Sequence, residues 1–78
     1  MGGNNTMVLD YDFVIKFKNE LMNKQSVYLH FHDGCGGQYF TLEKTGEEIR
    51  KCIGEFLSDN KLKASFSNDG LQFTVDEE

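Results

Sequence analysis

Two alternating segments on either side of a glycine-rich stretch constrain this chain more than any other feature. Residues 27–32, VYLHFH, put Val27, Leu29 and Phe31 on one face of a strand and Tyr28, His30 and His32 on the other. Residues 39–43, YFTLE, alternate likewise, with Phe40 and Leu42 against Tyr39, Thr41 and Glu43. An antiparallel hairpin superposes the two apolar faces only when paired residue numbers sum to an odd value, because a slip of one residue flips every side chain. A sum of 71 fits, setting Phe31 opposite Phe40 and Leu29 opposite Leu42 on the core side. On the outer side it sets His32 opposite Tyr39, His30 opposite Thr41 and Tyr28 opposite Glu43. Residues 33–38, DGCGGQ, become the connecting loop.

Residues 10–25 carry Phe13, Val14, Phe17 and Leu21 at helical spacing, with Asp12 to Lys16 and Glu20 to Lys24 as i,i+4 pairs and Asp10 or Asp12 available as a cap. The same stretch also alternates as Tyr11, Phe13, Ile15, Phe17, so a strand competes with the helix there. Thr45-Gly46-Glu47-Glu48 reads as a capping box that opens a helix over 46–59, with Ile49, Cys52, Ile53, Phe56 and Leu57 as one apolar stripe. Residues 61–67 and 71–76 alternate again, and Asn68-Asp69-Gly70 between them signals a hairpin, most simply a two-residue Asp-Gly turn pairing Phe66 with Phe73 and Ala64 with Val75. The order α-β-β-α-β-β implies an α+β fold, a four-stranded antiparallel sheet with both helices on one face. The second sheet face is left to water or to a partner.

At 78 residues the chain makes one small domain, expected over 7–78 behind a flexible leader at 1–6. Aromatic residues at 13% and the absence of proline favour a compact globule. A formal charge of −5, from 13 acids and 8 bases, argues against nucleic acid as a partner, since affinity there rests on neutralising phosphates. No apolar run reaches the roughly 18 residues of a membrane span, and no signal peptide precedes the domain. Cys35 and Cys52 are too few for a disulfide framework and form no CxxC pair, which fits thiols in a reducing, cytoplasmic setting. The opening MGGNNT formally matches a myristoylation pattern, and Asn4-Asn5-Thr6 a glycosylation acceptor, but no basic patch or signal supports either.

Chemistry concentrates in HFHDGCGG, residues 30–37. His30 and His32 lie two apart on a strand, so their rings point to one side about 6.5 to 7 Å apart at the backbone, close enough to share one metal ion. Cys35 in the loop can swing toward that face, with Asp33 as a fourth ligand or as an acceptor behind the first ligands. A mixed nitrogen and sulfur set suits zinc, copper or iron. The plainer account is that both histidines are outer-face residues and Asp33 and the glycines serve the turn. Cys35 between glycines is also an accessible thiol that a protonated His32 would activate, the basis for a thiol-dependent redox protein. The amides of residues 34–37 offer an anion-binding nest, opposed by the charge of Asp33. Three glycines in a six-residue loop imply either a contorted backbone or a close approach by something else.

The order helix, strand, GCGG, then the strand YFTLE, with DGLQFTVDEE late in the chain, resembles the amino-terminal half of A-type iron–sulfur carriers and HesB-like proteins. Gly34, Cys35 and Gly36 match the cluster-cysteine turn of that family, and the resemblance implies a cluster-ligand role for Cys35. The carboxy-terminal Cys-x-Cys of those carriers is absent, and the helix at 46–59 stands where their sheet continues. The expectation for the whole chain is a small binding or interaction module without catalytic activity. Its contact face is Tyr28, His30, His32, Tyr39, Thr41 and Glu43, meeting a protein partner or a second copy. Transition-metal or iron–sulfur binding through His30, His32 and Cys35 is the alternative.

Overall fold

A computed structural model describes residues 9–34 and 37–78. Helix α1 spans Tyr11–Gln25, strands β1 and β2 span Leu29–Gly34 and Gly37–Leu42, helix α2 spans Glu47–Asp59, and strands β3 and β4 span Leu62–Phe66 and Gln72–Glu77. The strands form one antiparallel sheet in the order β1-β2-β4-β3, so β1 and β3 are its edges. Both helices pack on the sheet and share one core with it.

At 10–25 the helical period prevails over the alternation, because Val14, Phe17 and Leu21 form one stripe that reaches the core while Tyr11 and Ile15 are left exposed. Phe17 is the hub. Its ring stacks on Phe56 of α2 at 4.9 Å and meets Phe40 and Phe73 edge-on at 5.4 and 6.1 Å. Of the two i,i+4 pairs offered by the sequence, Glu20–Lys24 closes at 2.7 Å, and Asp10 precedes the helix without a side-chain capping bond. Ser26 ends α1 in the left-handed region at φ 54°, its N–H donating to the Met22 carbonyl.

The β1–β2 hairpin has the expected register, with Leu29 opposite Leu42, Phe31 opposite Phe40, His30 opposite Thr41 and His32 opposite Tyr39. Its limits differ from expectation at both ends. The ladder starts at Leu29, so Val27 and Tyr28 precede the strand and Tyr28 does not pair with Glu43. At the other end, pairing continues through Asp33–Gln38 to Gly34–Gly37, and residues 33–38 are mostly ladder instead of a six-residue loop. Gly37 stands at φ +108°, a conformation only glycine adopts readily, while a Cβ at Gly34 or Gly37 would meet nothing within 4 Å. Gly37 thus serves a contorted backbone, and at neither position does a described residue approach closely. Residues 1–6, the cysteine at 35 and the glycine at 36 fall outside the described residues.

The second hairpin also has the expected pairs, Phe66 with Phe73 and Ala64 with Val75. Its turn is not the two-residue Asp-Gly form. The Gly70 N–H donates to the Ser67 carbonyl at 3.0 Å and the Ser67 N–H to the Gln72 carbonyl at 2.8 Å, so Asn68 and Asp69 are the central turn residues and Gly70 follows at φ +72°. Thr45 does not form the capping box. Gly46 occupies the N-cap position of α2 without a side-chain bond, and Thr45 instead packs on Gly70, its Oγ1 3.0 Å from where a Cβ there would sit. The stripe of α2 is as read, with Ile49, Cys52, Ile53 and Leu57 buried.

Candidate functional site

The helices cover the face carrying Leu29, Phe40, Leu42, Leu62 and Phe73. Strand alternation therefore turns His30, His32, Tyr39 and Thr41 to the opposite face, which no element of the described chain covers. On that face the aromatic rings pair along and across the hairpin. His32 stacks on Tyr39, centroids 4.6 Å apart and 9° from parallel, and its Nε2 lies 2.9 Å from the Thr41 hydroxyl oxygen. His30 stacks on Tyr28 at 5.9 Å and 20°, with its Nε2 3.4 Å from Oε2 of Glu43. Tyr28 reaches this cluster through its ring although it precedes the ladder. All six expected contact residues thus lie together: Tyr28, His30 and Glu43 exposed, His32, Tyr39 and Thr41 half-buried.

The metal reading fares differently at each of its residues. His30 and His32 share the outer face, as two ligands of one ion would. Asp33, next in the ladder, turns to the helix-covered side, where Gln38 donates to its Oδ2 at 3.4 Å. Gln38 also accepts the Leu9 N–H at 2.8 Å, and so ties the start of α1 to β2. Asp33 is therefore on the wrong side of β1 to join the two histidines. Among the described residues no group of three His, Cys, Asp or Glu side chains is placed to hold a metal ion. Position 35, the expected sulfur ligand and reactive thiol, lies outside the described residues.

Cys52 sits in the α2 stripe, and burial pushes its thiol above the usual range, against a smaller opposing pull from Lys24. It stays protonated at neutral pH and is a packing residue. Beside it a solvent-open cleft of about 400 Å³ runs between α1 and α2, lined among others by Glu20, Lys24, Glu48, Lys51 and Glu55. Cys52 lines this cleft among the acids and lysines, but as a buried thiol whose burial holds it protonated.

The second hairpin also contributes to the open face, which was not read from the sequence. Because β4 lies beside β2, Gln72 neighbours Thr41, and Thr74 follows on the same side, paired with Ser65. The signal was present in the alternation of Gln72 and Thr74 with Leu71, Phe73 and Val75, but only the strand order connects them to the first hairpin. No protein-family model, curated protein or solved structure matches this chain. Among the described residues no helix is long and apolar enough to cross a membrane.

Proposed function

We propose that this domain is a non-catalytic binding module whose uncovered sheet face recognises a protein partner in the cytoplasm. The observation that carries this reading is the stacking of His32 on Tyr39 and of His30 on Tyr28, which presents four flat, amphipathic rings on a sheet face with no cover of its own. Aromatic side chains are enriched at interfaces because a ring buries a large area at little cost in conformational entropy. Thr41, Gln72 and Thr74 extend the face with hydrogen-bonding groups, and Glu43 adds an acidic rim. A buried, protonated Cys52 fits a reducing compartment, and the net charge of −5 disfavours nucleic acid.

Affinity capture from a lysate of the native cell on immobilised domain tests this. A partner retained by the native sequence should be lost with Tyr39→Ala and retained with Lys63→Ala at the far edge strand. Equal retention by Tyr39→Ala would remove the face from the account. A second reading, transition-metal or iron–sulfur binding, draws on His30 and His32 sharing one side. It requires near-stoichiometric metal in protein purified without chelator, and metal-free protein whose melting is unchanged by chelation would end it.

A further inference from the structure

Of the four large hydrophobic side chains exposed among the described residues, three lie on α1 and the fourth just before β1. Tyr11 is 70% exposed, Ile15 40%, Met22 36% and Tyr28 58%. Tyr11, Ile15 and Met22, with Lys18, form one stripe along α1, since successive steps of four, three and four residues stay on one helix face. That face points away from α2, because Phe13, Glu20 and Lys24 take the α2 side. It overhangs β1 instead: Lys18, Asn19 and Met22 line a shallow groove of about 200 Å³ with Val27, Tyr28 and Leu29.

Beneath this stripe runs the outer edge of β1, which no described strand pairs. The two sheet edges are built differently. At β3, Lys61 precedes the strand, Lys63 lies within it and the Arg50 guanidinium of α2 sits over the Phe66 ring at 6.0 Å, devices that discourage another strand from adding. The described β1 residues, LHFHDG, contain no lysine or proline, and Phe31 on the covered side is only half-buried.

We infer that the β1 edge and the α1 stripe together form a homodimer interface, β1 pairing antiparallel with its counterpart about a two-fold axis. One rotation satisfies both surfaces. Pairing β1 with β1 continues the sheet to eight strands and gives Phe31 cover, and the same axis sets the two α1 helices antiparallel with their stripes face to face. The stripe is suited to this because its spacing of four, three and four reads the same in both directions. An antiparallel copy places Tyr11 against Met22 and Ile15 against the alkyl stem of Lys18, the self-complementarity that an isologous contact needs. The four exposed side chains leave on the order of 400 Å² open per copy, scaled from the roughly 150–250 Å² of a buried aromatic. Doubled by the axis and extended by the two edge strands, this reaches roughly 1,200 Å², where specific interfaces begin. The only charged side chain in the stripe is Lys18, so few charges need desolvation there.

This interface shares Tyr28 with the open sheet face and otherwise rests on the α1 stripe and the β1 edge, so Tyr28 stays unaltered in the test. Light scattering after size exclusion should show the native chain moving toward twice its monomer mass as concentration rises. The double substitution Ile15→Glu with Met22→Glu, at exposed positions, should weaken self-association at least tenfold with an unchanged circular dichroism spectrum, while Tyr39→Ala and Lys63→Glu leave it intact. Hydrogen exchange of the native chain gives a measure that needs no variant: β1 edge amides should gain protection with concentration and β3 edge amides should not. A chain monomeric up to its solubility limit, a dimer that survives the double substitution, or concentration-independent exchange along β1 would overturn the inference.

Discussion

Asp69 shows how one side chain fixes a turn. Its Oδ1 accepts the Leu71 N–H at 2.9 Å and the Ser67 hydroxyl at 2.7 Å, and these bonds, the Leu71 amide foremost, hold its carboxyl below the usual range. A carboxyl whose folded pKa is depressed stabilises the fold fully above its unfolded pKa of about 3.9, and that contribution disappears as pH falls through the lower folded value. Asp69→Ala should therefore melt below the native protein at neutral pH, and the gap should narrow as the pH drops below about 4. A gap independent of pH would show that the carboxylate is not what holds the loop. Next to it, Gly70 has φ +72° and its missing Cβ faces Thr45 Oγ1 at 3.0 Å, so Gly70→Ala meets both backbone strain and a clash. Denaturant titration should show a loss of about 1–3 kcal/mol. The Asn-Asp-Gly run announced a turn, but its form follows from the bonds of Asp69 to Ser67 and Leu71, which the Asp-Gly pair alone does not reveal.

At the scale of elements, the apolar periodicity placed the four strands and α2 and left α1 open between helix and strand, while parity together with the spacing between the strands gave both hairpin registers, since burying one face leaves a strand little freedom to slip. What parity could not determine was where each ladder ends. Asp33 and Gln38 carry the loop-forming character of polar residues, yet they pair with each other, and Gln38 also accepts the Leu9 N–H, so backbone pairing overrides their local preference. The capping box failed for a similar reason. Thr45-x-x-Glu48 has the right residues, but packing on Gly70 takes the threonine, and α2 starts after an uncapped Gly46. Replacing a working threonine N-cap by alanine costs about 1 kcal/mol, whereas Thr45→Ala should cost less than about 0.5 kcal/mol by equilibrium unfolding. A loss of the larger size would mean that Thr45 caps α2 in solution.

Over the whole molecule, the order β1-β2-β4-β3 decides what the surface offers, and that order was not written in any segment. It places Gln72 and Thr74 beside the histidine and tyrosine pairs, and it leaves β1 as an edge beneath the exposed stripe of α1. Four of the six residues expected as a contact face, His30, His32, Tyr39 and Thr41, were legible as one group because alternation and register set them on one side, and Tyr28 and Glu43 join them from beyond the ladder. The first strand was read as ending at His32, two residues short of Gly34, and one further step along the strand turns Asp33 to the face opposite the two histidines. The open sheet face as a recognition surface is the central claim, and amide shift mapping on the ¹⁵N-labelled domain, titrated with its captured partner, tests it most directly. The account predicts that the perturbed amides centre on His30, His32, Tyr39 and Thr41 and extend to Gln72. Shifts centred on α2, with these five unmoved, would contradict it.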